Sequence, residues 1–192
     1  MTVPSAQPLF AFSGHRLLAR GPAAEVVAAV KTATDAGETV LTFDAVTGRV
    51  VDLDLRGDLA AVLARLTPAT EPEKRGPGRP KLGVTAREVT LLPRHWDWLS
   101  AQPGGASVAL RKLVEGALRE AEGPDRARRA KDAAYRFMTA IAGDLPGYEE
   151  ATRMLFAGDW TAFDAAVEAW PEGIRETARG MAAGAWRNGK EG

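Results

Sequence analysis

Four short runs near the start of the chain have the apolar and β-branched composition of strands. They cover residues 9–12, 15–19, 40–44 and 50–55. In the last of them apolar and acidic residues alternate, as they do along a half-buried strand. Between the second and third runs, and again over residues 59–66, apolar residues recur at helical spacing. The pattern predicts a ββαββα unit, a small α+β layer over residues 1–66.

Residues 67–83 interrupt this pattern. They include four prolines, three glycines and almost no apolar residues, a composition that favours an extended linker. Beyond the linker, residues 87–92 are predicted as a short strand, and Pro93 fits the first position of a two-turn helix. After a glycine turn, Ser107 is predicted to cap a helix over residues 108–119. One face of that helix is apolar: Leu110, Leu113, Val114, Ala117 and Leu118.

The remainder of the chain has helical periodicity throughout. A helix is predicted to begin near Arg126 and to end at residues 143–146, and another covers residues 148–156. Apolar residues then recur at helical spacing twice more, before and after Pro171. We predict a helical C-terminal region over residues 124–187, arranged as a small bundle.

Composition narrows the possible chemistry. The 192 residues include no cysteine and only two histidines, His15 and His95. This excludes disulfides, thiolate catalysis and cysteine-ligated metals, and it disfavours a histidine metal site. No apolar run approaches the ~20 residues that span a bilayer, and the first residues lack the features of a signal peptide. We therefore expect a cytoplasmic protein with no metal and no cofactor.

The chain has no net charge, but its charges are sorted into blocks. Residues 74–136 contain 14 Lys/Arg and 7 Asp/Glu, a net charge of +7. Residues 1–73 and 137–192 have net charges of −3 and −4. A basic centre between acidic flanks concentrates positive potential where it can attract phosphates or an acidic partner. We therefore expect the functional residues in the central block.

Within that block, the segment from Arg75 to Lys81 reads Arg-Gly-Pro-Gly-Arg-Pro-Lys and resembles an AT-hook. The Gly-Arg-Pro core of that motif lies in the minor groove of A·T-rich DNA. The core is present around Arg79, although Pro77 stands where the motif usually has an arginine. An arginine on an extended glycine/proline backbone can enter a narrow groove and is attracted by its negative potential. The alternative is a solvated basic linker.

The strand, the two helices and the glycine turn over residues 84–120 resemble a ribbon-helix-helix domain, a dimeric bacterial DNA-binding fold. The resemblance implies that the strand pairs with that of a second copy and that this ribbon lies in the major groove. With the linker, the expected DNA contacts are Arg75, Arg79, Lys81, Arg87, Thr90, Arg94 and Ser107. The expected dimer and core residues are Val89, Leu91, Trp96, Leu99, Leu110, Leu113 and Val114. As a departure, neither face of the strand is fully polar, as base reading usually requires.

Nearly the whole chain also resembles an uncharacterised bacterial family, domain of unknown function 2239. Its members share a similar N-terminal α/β part, a Gly-Arg-Pro-Lys-type linker and a helical tail. They also share a stretch like Val-Thr-Leu-Leu-Pro-Arg-His-Trp, here residues 89–96, and Gly-Gly-Ala-Ser, here residues 104–107. The resemblance implies no established activity.

These patterns favour a homodimeric DNA-binding protein, with regulation as one form of that function. The alternative is a protein-interaction adaptor that uses the central segment only to dimerise. An enzyme is the least favoured class, because no nucleophile–base pair, metal-ligand spacing or cofactor loop is present. Only Asp44, Asp52 and Asp54 leave that class open, and the solvated face of a half-covered sheet is the simpler explanation for them.

Overall fold

A computed structural model of the chain describes residues 3–66, 85 and 87–186. Three antiparallel strands form a sheet in the order β2-β1-β3. They are β1 (Pro8–Ser13), β2 (Arg16–Pro22) and β3 (Val40–Asp44). Gly14, in the turn between β1 and β2, has a φ of 52°, in the left-handed region that glycine adopts without strain. The first three predicted strands are confirmed.

The described residues also form seven helices and one turn of 3-10 helix at Ala183–Ala185. The helices are α1 (Ala23–Asp35), α2 (Leu59–Arg65), α3 (Pro93–Ser100), α4 (Gly105–Ile141), α5 (Tyr148–Ala157), α6 (Trp160–Val167) and α7 (Glu172–Ala182). The α+β fold class and the helical C-terminal part are thus confirmed. No helix in the described ranges combines the length and the apolar character that crossing a bilayer demands.

The fourth predicted strand, over residues 50–55, is wrong. Val50 forms a single bridge with Phe43 of β3, and the pairing ends there. The Asp54 carboxylate instead accepts hydrogen bonds from the Arg56 guanidinium at 2.8 and 2.7 Å, and one from the Arg56 backbone N–H. This local ring provides partners within the segment itself, so turn chemistry overrides the alternating pattern.

The predicted break between two helices after residue 119 is also wrong. α4 is one helix of 37 residues, and Pro124 lies inside it. Proline removes a backbone N–H and disfavours a helix interior. Strong helix formers fill residues 117–122 and recur after Asp125, and their summed propensity offsets this cost.

The described residues divide into two compact units. The first unit combines residues 3–66 with residues 124–186, and the central unit contains residues 85 and 87–123. In the first unit, apolar residues of β1 pack with those of α1 on one side of the sheet. On the other side, Phe12 and Phe43 pack against the C-terminal helices, and their ring centroids lie 5.5 and 5.0 Å from that of Phe137. The segments predicted at the two ends of the chain therefore share one core.

Candidate interaction and DNA-binding site

The predicted strand of the central unit, residues 87–92, pairs with no other strand in the described part of the chain. Leu92, its last residue, is extended, with φ −67° and ψ 150°. The Leu92 carbonyl accepts hydrogen bonds from the backbone N–H groups of His95 and Trp96. The rest of the stretch has no strand partner among the described residues, so its backbone groups can pair with another strand. The predicted strand, which would pair with that of a second copy, therefore stays a prediction, and the ribbon-helix-helix resemblance is not confirmed.

The starts of α3 and α4 are set by proline and glycine. α3 begins with Pro93 at its first turn, as predicted. α4 begins at Gly105, and Gly104 and Gly105 both have positive φ, 87° and 74°. Because the helix begins there, Ser107 lies in its first turn, and the prediction that Ser107 caps it is wrong. The Ser107 carbonyl accepts a hydrogen bond from Arg111 Nε at 3.2 Å.

α3 and α4 bury very little between them. Leu99 (3% exposed) and Ala109 (7% exposed) are the buried residues of the described part of the central unit. An open groove of about 450 Å³ lies beside Leu99. Its lining residues are Leu91, Arg94, His95, Trp98, Leu99, Leu110 and Leu113. Five of these seven side chains are apolar, so the groove offers a surface for another apolar group.

Most large apolar side chains of the central unit remain accessible. They are Val89, Leu92, Trp96, Trp98, Leu113, Val114 and Leu118, each between 38% and 64% exposed. Leu113, Val114 and Leu118 lie on the face of α4 that was predicted to be apolar, and each leaves more than half of its surface accessible. Grouped apolar exposure of this kind is uncommon on a soluble monomer and marks interaction surfaces.

The predicted DNA-contact residues fall into two groups. Arg75, Arg79 and Lys81 lie outside the described residues. Arg87, Thr90, Arg94 and Ser107 are described, and all four are exposed. Neither Arg87 nor Arg94 forms an ion pair with another described residue, so both guanidinium groups are available to a phosphate.

The net charge of the basic block, residues 74–136, is not spread evenly along it. Residues 87–123 contain five Lys/Arg and five Asp/Glu, a net charge of zero. The excess comes from residues 74–81, with four Lys/Arg and no acid, and from residues 125–136, with five Lys/Arg and two Asp/Glu. The second of these groups belongs to the half of α4 that lies in the first unit. The net charge of each structural unit, taken separately from that of the whole block 74–136, shows this division.

Asp44 closes the turn after β3. Its Oδ1 accepts hydrogen bonds from the backbone N–H groups of Val46 and Thr47 at 2.9 and 2.6 Å, and its Oδ2 accepts one from Gln7 Nε2 at 2.5 Å. Partial burial acts to raise the pKa of Asp44, but these hydrogen bonds outweigh it and lower the pKa. A carboxylate held ionised in this way stabilises a turn and is a poor general base.

Asp52 and Asp54 line a small cleft of about 250 Å³ together with Arg65, but Asp44 does not. Hydrogen bonds from Arg56 hold the pKa of Asp54 well below its usual range. Asp54 also pairs with Arg65 at 3.4 Å. Among the described residues, no three His, Cys, Asp or Glu side chains are grouped so that they could hold a metal ion. The three aspartates are thus not brought together.

The geometry defines a mixed α+β protein in which a small sheet and C-terminal helices share one core and a central helix pair keeps an accessible apolar face. The chain belongs to a bacterial family, described as uncharacterised protein conserved in bacteria (DUF2239), whose model matches residues 8–182. This match spans both units and confirms the family resemblance. No curated protein and no solved structure matches the chain significantly.

Proposed function

We propose that this protein is a cytoplasmic homodimer that binds DNA, with residues 84–120 as the dimer interface. The observation that carries the proposal is the accessible apolar face of the central unit, including Leu113, Val114 and Leu118 on α4. Within the described chain this face has no cover, and burying it would contribute roughly 25 cal/mol for each Å² removed from water. A partner could therefore bury the apolar surface that the described central unit leaves accessible in its own fold.

A second copy of the chain is the partner that fits this surface. The central unit has fewer than ~40 described residues and no cysteine, and segments of that size usually need oligomerisation to be stable. Residues 87–91 have no strand partner within the described chain, and their backbone groups can pair with the same stretch of a second copy in antiparallel register. Because residues 87–123 have no net charge, two such surfaces can meet without electrostatic repulsion.

DNA binding is inferred from the cations that accompany this interface. Arg87 and Arg94 are exposed and have no ionic partner among the described residues. The linker adds Arg75, Arg79 and Lys81 in each copy. These five cations of each chain would contact the phosphate backbone or the minor groove, while Thr90 and Ser107 would contact base edges and phosphate. Neutralising that many phosphates releases counterions, so affinity should depend steeply on salt.

The test is a mobility-shift titration of mixed and A·T-rich duplexes. Between ~50 and ~200 mM salt, we expect affinity to fall about 10³- to 10⁵-fold, the range for roughly six to ten phosphate contacts in the dimer. The double variant Arg79→Ala/Lys81→Ala should weaken binding and reduce the slope of log affinity against log salt by about 4, one for each phosphate contact that the dimer loses.

The matched control is Arg20→Ala/Arg153→Ala, which removes two exposed arginines from β2 and α5. It should leave DNA affinity within about twofold of the parent chain. An affinity that ignores salt, or an equal loss in the two double variants, would contradict the DNA assignment.

One observation favours the alternative, an adaptor that dimerises without binding DNA. The zero net charge of residues 87–123 and the apolar residues Val89 and Leu92 suit a protein partner better than a phosphate backbone. An adaptor predicts a stable dimer that shifts no duplex even at low salt. It also predicts that Arg79→Ala/Lys81→Ala leaves the dimer intact.

A further inference from the structure

The second part of the basic block forms a cleft of its own in the first unit. Residues 126–131 lie in the interior of α4, and the prediction that they begin a helix is wrong. Arginines of α4 and the loop after β3 line a cleft of about 310 Å³. This arginine cleft is lined chiefly by Arg126, Arg129, Arg136, Val46, Thr47 and Met181.

The loop beside the arginine cleft is fixed against α4. Arg136 Nη1 donates a hydrogen bond to the Thr47 carbonyl at 3.0 Å. Gly48, with a φ of 67°, lies so close to α4 that a Cβ atom there would stand 2.0 Å from the Ala133 carbonyl oxygen. Asp44 closes the same loop, because its carboxylate accepts hydrogen bonds from the backbone N–H groups of Val46 and Thr47. A ligand therefore meets a preformed surface and loses little affinity to ordering the loop.

Other cations of the same run are already engaged. Arg128 pairs with Asp125 at 2.9 Å, and the Lys131 ammonium donates to the Phe156 carbonyl at 3.0 Å. Arg129, in contrast, lines the cleft and forms no hydrogen bond or ion pair with another described residue. Its full set of guanidinium donors is available to a ligand.

We propose that the arginine cleft binds the phosphate group of a nucleotide or of a nucleic-acid backbone. Guanidinium groups present paired N–H donors in a planar fork that matches phosphate oxygens. Three arginines and one carboxylate, Asp132, line the cleft, a net charge of +2 that attracts an anionic phosphate. Val46, which is 68% exposed, adds apolar surface that a sugar or base can cover. The site goes beyond the proposed function, because it uses no residue of the central unit.

The test is a two-dimensional NMR titration of the isotope-labelled full-length protein with AMP, with adenosine and with a short duplex. AMP should shift the amide signals of Thr47 and of α4 around Arg129, whereas adenosine, which has no phosphate, should not. Arg129→Gln should weaken AMP binding about tenfold, the loss expected for one charge-assisted contact. The matched control Arg128→Gln removes the same charge one position earlier and should change the affinity by less than about twofold.

A response of these amides to AMP alone would identify a free nucleotide as the ligand, and a response to the duplex would identify the nucleic-acid backbone. The proposal is overturned if adenosine binds as well as AMP, if Arg128→Gln and Arg129→Gln weaken binding equally, or if no amide near the cleft responds. Both variants belong to the first unit. A negative result with Arg128→Gln and Arg129→Gln would therefore overturn the arginine cleft alone, and it is distinguishable from a negative result with Arg79→Ala/Lys81→Ala, which would concern the DNA proposal.

Discussion

The two halves of α4 have opposite surroundings, although they belong to one helix. Beyond Pro124, the helix buries Ala134, Phe137 and Met138 completely in the core of the first unit. Before it, Leu113 and Val114 leave more than half of their surface accessible. Both halves carry apolar residues at helical spacing, so the difference arises from what the rest of the chain supplies to cover each face.

In the first unit the cover comes from the same chain. Residues of β1, β3 and the helices from α5 to α7 join the second half of α4 in one cluster of buried side chains. The first half of α4 has only α3 beside it in the described central unit and keeps an accessible apolar face, which the second copy proposed above would cover. Substitutions in the first unit should therefore change folding stability, and substitutions in the central unit should change association.

The largest effect is expected at Phe137. Its side chain is fully buried and its ring contacts those of Phe12 and Phe43. Phe137→Ala should lower the free energy of unfolding by about 3–5 kcal/mol, measured by urea denaturation followed by circular dichroism. Leu113→Ala should cost less than ~1 kcal/mol at concentrations where the chain is monomeric. Equal costs would contradict the comparison between the two halves of α4.

The next effect concerns association. Leu113→Asp places a charge on the accessible apolar face of α4, and burying that charge in a dimer interface is costly. We expect the dissociation constant of the dimer to rise at least about 100-fold, equivalent to ~2.7 kcal/mol, measured by sedimentation equilibrium. Lys112→Asp, which introduces the same residue at an exposed position of the same turn, should have a much smaller effect. A parent chain that stays monomeric at high concentration would rule out the second-copy interface.

These contrasts also show how much of the fold the sequence could predict. Local patterns located β3 to the residue and α5 to within one residue, because periodicity and turn residues act within a few positions. Asp54 and Arg56 form a local hydrogen-bonded ring within the segment predicted as the fourth strand, and no alternation of apolar and polar residues indicates such a ring. The break predicted between residue 119 and Arg126 is wrong because the helix formers on both sides of Pro124 outweigh its cost.

The candidate site was predictable only in part. Periodicity identified the apolar face of α4 at Leu113 and Val114, but it cannot tell whether a face is covered within the chain or by another chain. The arginine cleft was missed because Thr47 and Arg129 are far apart in sequence and meet only when the two ends of the chain share a core. A charge count gives the sign of a segment's net charge, but it does not show which cations are already paired.

A moderate, pH-dependent effect is expected at Asp44. Its lowered pKa means that the ionised carboxylate stabilises the first unit above the ordinary aspartate value of 3.8, and that this contribution is lost as pH falls below it. Asp44→Ala should cost about 1–2 kcal/mol well above pH 3.8 and less well below it, measured by urea denaturation. Asp52→Ala, at an exposed aspartate, is the control. A cost for Asp44→Ala that does not change with pH would show that the charge plays no part.

The smallest expected effect is a gain in stability at Gly116, in the accessible half of α4. A Cβ atom there would meet nothing within 4 Å, and alanine favours a helix interior over glycine by about 0.5–1 kcal/mol. Gly180→Ala in α7, where the added Cβ also meets nothing within 4 Å, is the matched control and should raise the thermal stability of the first unit similarly. Gly116→Ala has a second readout, because a second copy packed closely against this position would be displaced by the added methyl group. A raised dissociation constant for Gly116→Ala, with none for Gly180→Ala, would place Gly116 inside the dimer interface, whereas an unchanged one would confine that interface to the side of α4 that carries Leu113 and Val114.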